Sequence, residues 1–501
     1  MKAIDPAMLR ELAVAAKVCV RPVLLRCTDT ETGAVATVPV PCGATVERSC
    51  PSCADRARRL RVHQCREGWH REDEPGPASG EDPLDENGAD EPDGDEPHDD
   101  EPFRRTRSTR RRQDVADLPR VPMDQRTLGR AFRSADGRPW RPSMFLTLTL
   151  PSYGPVHPDG TPVDPDRYDY RRAALDALHF AKLEDRFWQN LRRCAGYKVQ
   201  YFAAIEPQRR LAPHLHAAVR GVVPRQLVRQ VVAATYHQLW WPPCDQAVFD
   251  EHKQPVWCIA SRAYLDPATG QPLPTWDQAL DDLDDDPAPR PAHVLRFGEQ
   301  LDYQGLVGGD DDRVNRAVGY LTKYLTKDMS TTYADAADLT ARQAEHLRRY
   351  HRQIRLLPCS PRCANWLRYG VQPKDAGPGL EIGRCPAKAH DWHHLGLGGR
   401  RVHVSRQWTG KTLAQHAADR AAVVAEVLAE AGMTSHDRQR WAATVTDTDG
   451  TARYIWTRID PHDGDALTYF QAIAAAVRER QQWTAQYDAA KAIVQDNPSA
   501  A

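Results

Sequence analysis

The segment that most constrains the fold is residues 214–220, where two histidines flank a single leucine. Side chains alternate across a β-strand, so His214 and His216 would face the same side of a sheet. Residues 199–206 also have a strand-like pattern, and the short connection between the two segments predicts an antiparallel pair. This pairing would bring the Glu206 carboxylate close to both imidazoles. Two imidazoles and one carboxylate can hold a divalent ion and leave positions open for water or a phosphate oxygen.

A second group of reactive side chains lies downstream on a predicted helix. Apolar residues at positions 314, 317, 318, 321 and 325 follow helical spacing. Tyr320 and Tyr324 would then lie one turn apart on one face, with Lys323 and Lys327 nearby. A phenol with a pKa of about 10 is a poor nucleophile at neutral pH. A neighbouring cation or a metal-activated phosphate would make its attack on phosphorus feasible. Two tyrosines beside a metal site therefore indicate two successive transesterifications on DNA.

Three motifs occur along the chain in a characteristic order. They are a strand ending in Thr-Leu-Thr within 144–150, the His-Leu-His strand, and the helix with the pattern Tyr-x-x-Lys-Tyr-x-x-Lys. In combination they resemble the motifs of HUH endonucleases. Segments 151–157, 168–170 and 398–412 more closely resemble replication initiators of actinobacterial plasmids and integrative elements, the RepSA-type group. This resemblance runs, with gaps, from about Cys42 to Thr412.

The resemblance implies an α+β fold, which the predicted order of strands and helices also favours. It implies a five-stranded antiparallel sheet with the histidines on its central strand and helices at its sides. It further implies that Glu206, His214 and His216 bind Mg²⁺ or Mn²⁺. The chain would be a rolling-circle replication initiator that nicks and rejoins origin DNA.

The same resemblance implies roles for the tyrosine helix. Tyr324 would attack the scissile phosphate to form a 5′-phosphotyrosyl bond, and Tyr320 would perform the second transfer. Lys323 or Lys327 would stabilise the developing phosphate charge. The implied partners are a single-stranded or cruciform nick site in origin DNA, together with a host helicase and polymerase.

Two other functions fit the same residues. A two-tyrosine rolling-circle transposase or relaxase-like nuclease would use the same chemistry, although relaxases usually place their tyrosines before the histidine motif. A non-enzymatic, zinc-containing DNA-binding protein would instead keep its function after loss of Tyr320 and Tyr324.

Two groups of cysteines have spacings typical of zinc sites. The predicted ligands of the first are Cys42, Cys50, Cys53 and Cys65, although Cys19 or Cys27 could substitute. Those of the second are Cys359, Cys363, Cys385 and His390, with His393 and His394 as competitors. Twelve cysteines in 501 residues are too few for a disulfide framework, which favours reduced thiols and structural zinc.

The charge distribution predicts contact with nucleic acid. The net charge is −1, but residues 71–102 contain fifteen acidic residues and one arginine, so the rest of the chain carries +13. Arginine is suited to phosphate contacts. Candidate DNA contacts are Arg56, Arg58 and Arg59 in the first cysteine group, and Trp366 and Arg368 in the second. Trp366 could equally be a core residue.

Composition and pattern divide the chain into five segments. Residues 1–70 contain the first cysteine group, and 71–121 form an acidic, then arginine-rich, disordered linker. Residues 139–330 form the nuclease domain, with a surface insertion at 265–292, and 331–410 contain the second cysteine group. Residues 411–501 are helical. The sequence shows no apolar run long enough to span a membrane and no charged-then-apolar signal peptide at Met1, which favours a cytoplasmic protein without a membrane partner.

Overall fold

The computed structural model describes residues 5–69, 71, 117–129, 131–133, 139–306, 311–323, 339–430, 451–459 and 466–496. Most of the predicted linker lies outside these residues, as do Tyr324 and Lys327. Within the described part of the chain, none of the helices combines the length and apolar character needed to cross a membrane.

The described residues form helices in both halves of the chain. The α-helices are α1 (Pro6–Ala15), α2 (Pro51–Trp69), α3 (Tyr170–Ala195), α4 (Arg225–Ala234), α5 (Trp276–Asp285), α6 (Asp311–Lys323), α7 (Ala341–Leu356), α8 (Leu413–Glu430) and α9 (Ala466–Asp496). Short 3-10 helices span Ala364–Tyr369 and Lys388–His390.

The strands are concentrated in the middle of the chain. They are β1 (Val23–Asp29), β2 (Val35–Val40), β3 (Phe132–Arg133), β4 (Pro139–Trp140), β5 (Ser143–Leu148), β6 (Tyr201–Pro207), β7 (Pro213–Arg220), β8 (Tyr236–Leu239), β9 (Val256–Cys258), β10 (Ala263–Leu265), β11 (His293–Arg296), β12 (Leu301–Leu306), β13 (Val402–Val404) and β14 (Tyr454–Arg458).

The chain divides into two compact units. The first contains the described residues of 1–65 and 411–501, and the second contains those of 66–324 and 328–410. The two terminal segments thus share one unit, and the second cysteine group belongs to the same unit as the histidine strand. These associations arise from long-range contacts, which leave no local pattern in a sequence.

The first unit is built around a three-stranded antiparallel sheet in the order β14-β1-β2. Its third strand therefore comes from the opposite end of the chain. Helix α1 contacts α9, and Leu9, Ala13 and Ile473 are buried in one apolar cluster.

The second unit contains a five-stranded sheet in the order β12-β5-β7-β6-β13, with every neighbouring pair antiparallel. The histidine strand β7 is therefore central. One face of the sheet packs on α3, since Leu146, Ala203 and Leu215 share a buried cluster with Phe180 and Leu183. The described sheet and helices agree with the predicted α+β class and with about five strands.

Helix α3 is defined at both ends by local sequence. The side chain of Asp169 accepts a hydrogen bond from the backbone N–H of Arg172, which caps the first turn. Gly196 ends the helix in the left-handed region, with φ of 69°, where a side chain would be strained. The spacing of apolar residues predicts a helix over 170–193, which agrees with these bounds to within two residues.

Pro224 stands at a position that helices tolerate at their start, and the sequence after it predicts a helix to about Trp241, which is too long. Helix α4 ends at Ala234, Thr235 is extended, and β8 pairs antiparallel with β11. Helical spacing of apolar residues continues past Ala234, but pairing with a strand more than fifty residues later overrides it.

The segment 265–292 is more than a surface insertion. It contains α5, which starts with a capping box formed by Thr275 and Gln278. Trp276 at the start of α5 is buried in the main apolar cluster of the second unit.

Trp366, a candidate for stacking on bases, belongs to the core. Its side chain is 0% exposed, and its ring lies 4.9 Å from Trp276 and 5.7 Å from Trp241 between centroids. Its indole N–H donates to the carbonyl of Ser360 at 2.9 Å. A residue enclosed in this way cannot stack on DNA, so this candidate contact is excluded.

The edge strand β13 is tied to α3 by a charged hydrogen bond. Nδ1 of His403 lies 2.6 Å from Oε2 of Glu184, and the other carboxylate oxygen accepts from the indole N–H of Trp188 at 3.0 Å. Burial disfavours the charged imidazole, but the Glu184 carboxylate outweighs this effect and raises the pKa of His403 to about 9.

We expect Trp366→Ala to destabilise the second unit by about 3–5 kcal/mol, because the change removes a fully buried indole. Thermal and urea unfolding of the full chain would measure the loss. Ile259→Ala is the matched control, since Ile259 is 85% exposed. A near-normal unfolding midpoint with weakened DNA binding would contradict the core assignment.

His403→Gln should destabilise the protein in a pH-dependent manner. The raised pKa means that the stabilisation by charged His403 is complete below its ordinary pKa of 6.5 and is lost as the pH rises through about 9. The difference in melting temperature between wild type and variant should therefore shrink across this range. A difference that is constant with pH would contradict a charged His403–Glu184 pair.

Candidate functional site

The register of β6 and β7 brings the three predicted metal ligands together. Glu206 pairs directly with His214, and His216 pairs with Ala204 two positions along. Oε1 of Glu206 lies 3.1 Å from Nε2 of His214 and 2.7 Å from Nε2 of His216. The two Nε2 atoms are 3.1 Å apart. All three side chains are buried, so the donor atoms converge on one protected point.

The connection between these strands is fixed by Arg210. Its guanidinium donates to the carbonyls of Leu150 at 2.6 Å and Pro151 at 2.8 Å, just beyond the end of β5. Its own carbonyl accepts from the hydroxyl of Tyr168 at 2.6 Å. Leu211 adopts a left-handed conformation, with φ of 62°. These contacts hold the turn that separates Glu206 from the histidines.

The opposite end of β7 is held by Arg220. Its guanidinium is 3% exposed and donates to the carbonyls of Gly68 and Trp408. It also lies 5.0 Å from the centre of the Trp408 ring, a favourable cation–π distance. Segment 398–412 is thus attached directly to the histidine strand.

Thr147 of β5 orients one of the ligands. It pairs with His216 across the sheet, and its hydroxyl is hydrogen-bonded to Nδ1 of that residue at 2.9 Å. This bond leaves Nε2 directed at Glu206 and His214. Such a contact on the far nitrogen typically fixes the orientation of a metal-binding imidazole.

The electrostatics of the group suit metal binding. Burial opposes the charged carboxylate, but hydrogen bonds with His214 and His216 outweigh it and lower the pKa of Glu206 to about 2. Burial also lowers the pKa of His214, which favours the neutral imidazole that metals bind. One anionic oxygen and two converging imidazole nitrogens match the donor preferences of a divalent ion.

Helix α6 lies against the strands that carry these ligands. It contacts β6 and β7, and Val318 and Leu321 are buried. The predicted helix is confirmed as far as Lys323. The side chains of Tyr320 and Lys323 are not among those described, and Tyr324 and Lys327 lie outside the described residues.

The second cysteine group is assembled with the four ligands that its spacing predicts. The donor atoms of Cys359, Cys363, Cys385 and His390 lie within 4.8 Å of one another. Sγ of Cys363 is 3.5 Å from Nε2 of His390, and Nδ1 of His390 is hydrogen-bonded to the carbonyl of Ile354 at 2.7 Å. Neither His393 nor His394 belongs to the group. These residues could hold a zinc ion.

The first cysteine group differs from the prediction in one ligand. The thiols of Cys19, Cys42, Cys50 and Cys53 lie within 4.8 Å of one another, and Cys65 is not among them. Cys53 and Cys65 both lie on α2. Twelve residues of helix separate them by about 18 Å, too far for a common metal ion. Cys65 as a zinc ligand was therefore a wrong assignment.

Three of the predicted DNA-contacting arginines lie near the start of α2. Arg58 and Arg59 form ion pairs with Asp55 at 3.8 Å and 2.6 Å, yet their side chains remain 41% and 56% exposed. Arg56 is also exposed. Arg368 is half-buried, and its carbonyl accepts from the backbone N–H groups of Val248 and Phe249.

Two residues of this site, Thr147 and Arg210, were not predicted from the sequence. Thr147 lies within the Thr-Leu-Thr motif, where alternation along the strand places it on the same face as His216. The motif therefore contained enough information to place Thr147 beside His216. No sequence pattern indicates the role of Arg210, because its partners at 150 and 151 are about sixty residues away in sequence.

We expect Thr147→Val to weaken Mn²⁺ binding about 10–100-fold, because it removes the hydrogen bond that orients His216 without a large change in volume. Titration followed by electron paramagnetic resonance would measure the affinity. Thr149→Val, which removes a hydroxyl bonded to the carbonyl of Gln300, is the matched control and should bind normally. Equal affinities in the two variants would contradict this role.

Comparison with known proteins gives an independent assignment. The family model described as "Replication initiator protein, pSAM2" (RepSA) matches residues 5–479. A curated replication initiator protein from Streptomyces ambofaciens is 27% identical over 226 residues, which cover 38% of this chain and 43% of that protein. The match thus spans less than half of the relative's length. No solved structure is significantly similar. Because the family model covers nearly the whole sequence, the chain belongs to the RepSA family of replication initiator proteins.

Proposed function

We propose that this protein is a rolling-circle replication initiator of the HUH endonuclease type, which nicks and rejoins origin DNA through a covalent 5′-phosphotyrosyl intermediate. The observation that carries the proposal is the convergence of Glu206, His214 and His216 on adjacent central strands. Helix α6, whose sequence continues into the second tyrosine, contacts the same two strands. The RepSA assignment supports the biological role.

Glu206, His214 and His216 would hold Mg²⁺ or Mn²⁺. When bound, such an ion polarises a phosphate and stabilises the charge that develops on it. The protein's own residues orient the ligand side chains and set their charge before DNA binds. Thr147 fixes the ring of His216, and the lowered pKa of Glu206 keeps its carboxylate charged at neutral pH. Because the ligand atoms are already in position, few of them need to move when DNA binds.

Tyr324 would be the first nucleophile. Its phenolic oxygen forms a bond to phosphorus while the bond from phosphorus to the 3′ oxygen breaks. The phenolic proton is removed, and the leaving oxygen takes up a proton to become a 3′-OH primer. Tyr320, four residues earlier in the sequence, would carry out the second transfer. Its phenolic oxygen would bond to phosphorus at the regenerated nick site and release a new 3′-OH, which would attack the phosphotyrosyl bond of Tyr324, join the strand and free the Tyr324 phenol. Lys323 or Lys327 would stabilise the negative charge on the phosphate.

Origin DNA would be engaged through the excess of basic residues outside the acidic run. Arg56, Arg58 and Arg59 project from one helix and are exposed enough to reach a phosphate backbone. Arg368 is a further candidate contact in the second unit. A host helicase and a host polymerase would then unwind the duplex and extend the primer.

We further propose that Cys359, Cys363, Cys385 and His390 hold a structural zinc ion. Four protein ligands make a closed site, which is typical of structural rather than catalytic zinc. The hydrogen bond from His390 to Ile354 joins the site to α7, and α7 contacts α3 beneath the sheet. Zinc here would hold the segment that surrounds the buried Trp366.

The test is cleavage of a single-stranded origin oligonucleotide in the presence of Mg²⁺ or Mn²⁺. Wild type should form a covalent protein–DNA adduct that resists denaturation. Tyr324→Phe should abolish the adduct because it lacks the attacking oxygen. Glu206→Gln, which is isosteric but uncharged, should reduce the cleavage rate at least 100-fold because it weakens metal binding.

Tyr303→Phe is the matched control for the tyrosine variants. It removes a hydroxyl bonded to the carbonyl of Val223 in the same unit, and its adduct yield should match wild type. Adduct that survives Tyr324→Phe but not the double change with Tyr320→Phe would make the two tyrosines interchangeable. Specific origin binding without any adduct would overturn the nuclease proposal and favour a non-enzymatic DNA-binding protein.

A further inference from the structure

We infer that Cys19, Cys42, Cys50 and Cys53 form a four-thiolate structural zinc site in the first unit. This ligand set is not the one that cysteine spacing predicts, since Cys19 takes the place of Cys65. The inference depends on neither the nuclease chemistry nor the second cysteine group.

The four sulfur atoms lie within 4.8 Å of one another, and the Cys19–Cys50 pair has the spacing expected around a tetrahedral ion. A Zn–S distance of about 2.3 Å implies S···S separations of about 3.8 Å along the edges of the tetrahedron. The sulfur atoms of Cys19 and Cys50 are 3.8 Å apart. A disulfide would require a separation of about 2.05 Å. The geometry thus corresponds to shared ligation of one ion.

The fold explains how Cys19 reaches the other three ligands. Val23 pairs with Val40 at the open end of the β1–β2 hairpin. Cys19 lies four residues before this pair and Cys42 two residues after it, so the hairpin brings both thiols together. Cys50 and Cys53 lie at the start of α2, one turn apart. The site is therefore formed by a hairpin base and a helix N-terminus.

The surroundings support bound thiolates. The backbone N–H of Cys42 donates to Sγ of Cys19 at 3.3 Å. Four thiols in one cluster cannot all ionise without a cation to offset their mutual repulsion.

The ion would stabilise the core of the first unit. Leu9, Val18 and Ile473 pack in the same buried cluster as Cys50 and Cys53. Zinc would connect α1, the β1–β2 hairpin and α2 where these elements meet, and its binding energy would contribute directly to their folding. It would also fix the first turn of the helix that presents Arg56 and Arg59.

The test compares Cys19→Ser with Cys65→Ser in the full-length protein. Cys65 is the matched control because it is another cysteine of the first unit, and its thiol lies outside the four-sulfur group. Zinc bound per chain is measured by elemental analysis after extensive dialysis. Cys19→Ser should bind one equivalent less than wild type, and Cys65→Ser should bind the same amount. Equal zinc content in wild type and Cys19→Ser, or a loss in Cys65→Ser, would overturn the inference.

A second measurement keeps the test valid if Cys19→Ser folds poorly. Cys19→His retains a possible zinc ligand and should restore the missing equivalent together with the thermal stability of the first unit. When the proteins are loaded with Co²⁺, the thiolate-to-metal absorption of Cys19→Ser should be lower than that of wild type by the amount expected for one site. The absorption of Cys65→Ser should equal that of wild type. Four oxidised thiols with no metal would indicate disulfides and contradict the inference. Loss of zinc from the Cys359 group would lower the zinc content of every variant equally, so the difference between wild type and Cys19→Ser would not change.

Discussion

The pairing register between β6 and β7 is the constraint on which the candidate site depends. A slip of one residue in either strand would turn its ligands to the opposite face of the sheet. The register is held at the turn by Arg210, which bonds to the end of β5. At the other end of β7, Arg220 is anchored by the carbonyls of Gly68 and Trp408. The half-buried Arg210 and the buried Arg220 thus fix the two ends of the strand that carries the histidines.

The placement of three polar side chains in the middle of a buried sheet is costly. Every residue of β7 is buried, and an apolar residue at position 214 or 216 would avoid the cost of desolvation. The apolar face of the sheet against α3 supplies the stability that offsets this cost. Polar residues that replace apolar ones in an otherwise regular buried strand are typical of functional sites. This contrast supports a role in chemistry rather than in folding.

Local patterns in the sequence were enough to predict the ligand trio, α3 and the Cys359 group, since each depends on spacing within a strand, a helix or a short loop. Features that depend on distant pairing were not predictable. Strand β8 exists because it pairs with β11, and the edge strands β12 and β13 exist because they pair with β5 and β6. Cys19 was one of two alternative ligands that the sequence left open, and the register of a hairpin brings it to the site. Trp366 is core because Trp241 and Trp276 surround it.

In the proposed mechanism, Tyr324 and then Tyr320 attack DNA beside the Glu206–His214–His216 site. The most direct measurement is mass spectrometry of the nucleotide-linked peptide after nuclease and protease digestion of the covalent complex. We expect a peptide that contains residues 320–324, with the nucleotide on Tyr324 after the first cleavage and on Tyr320 after strand transfer. A nucleotide attached to any tyrosine outside this segment, such as Tyr303, would contradict it.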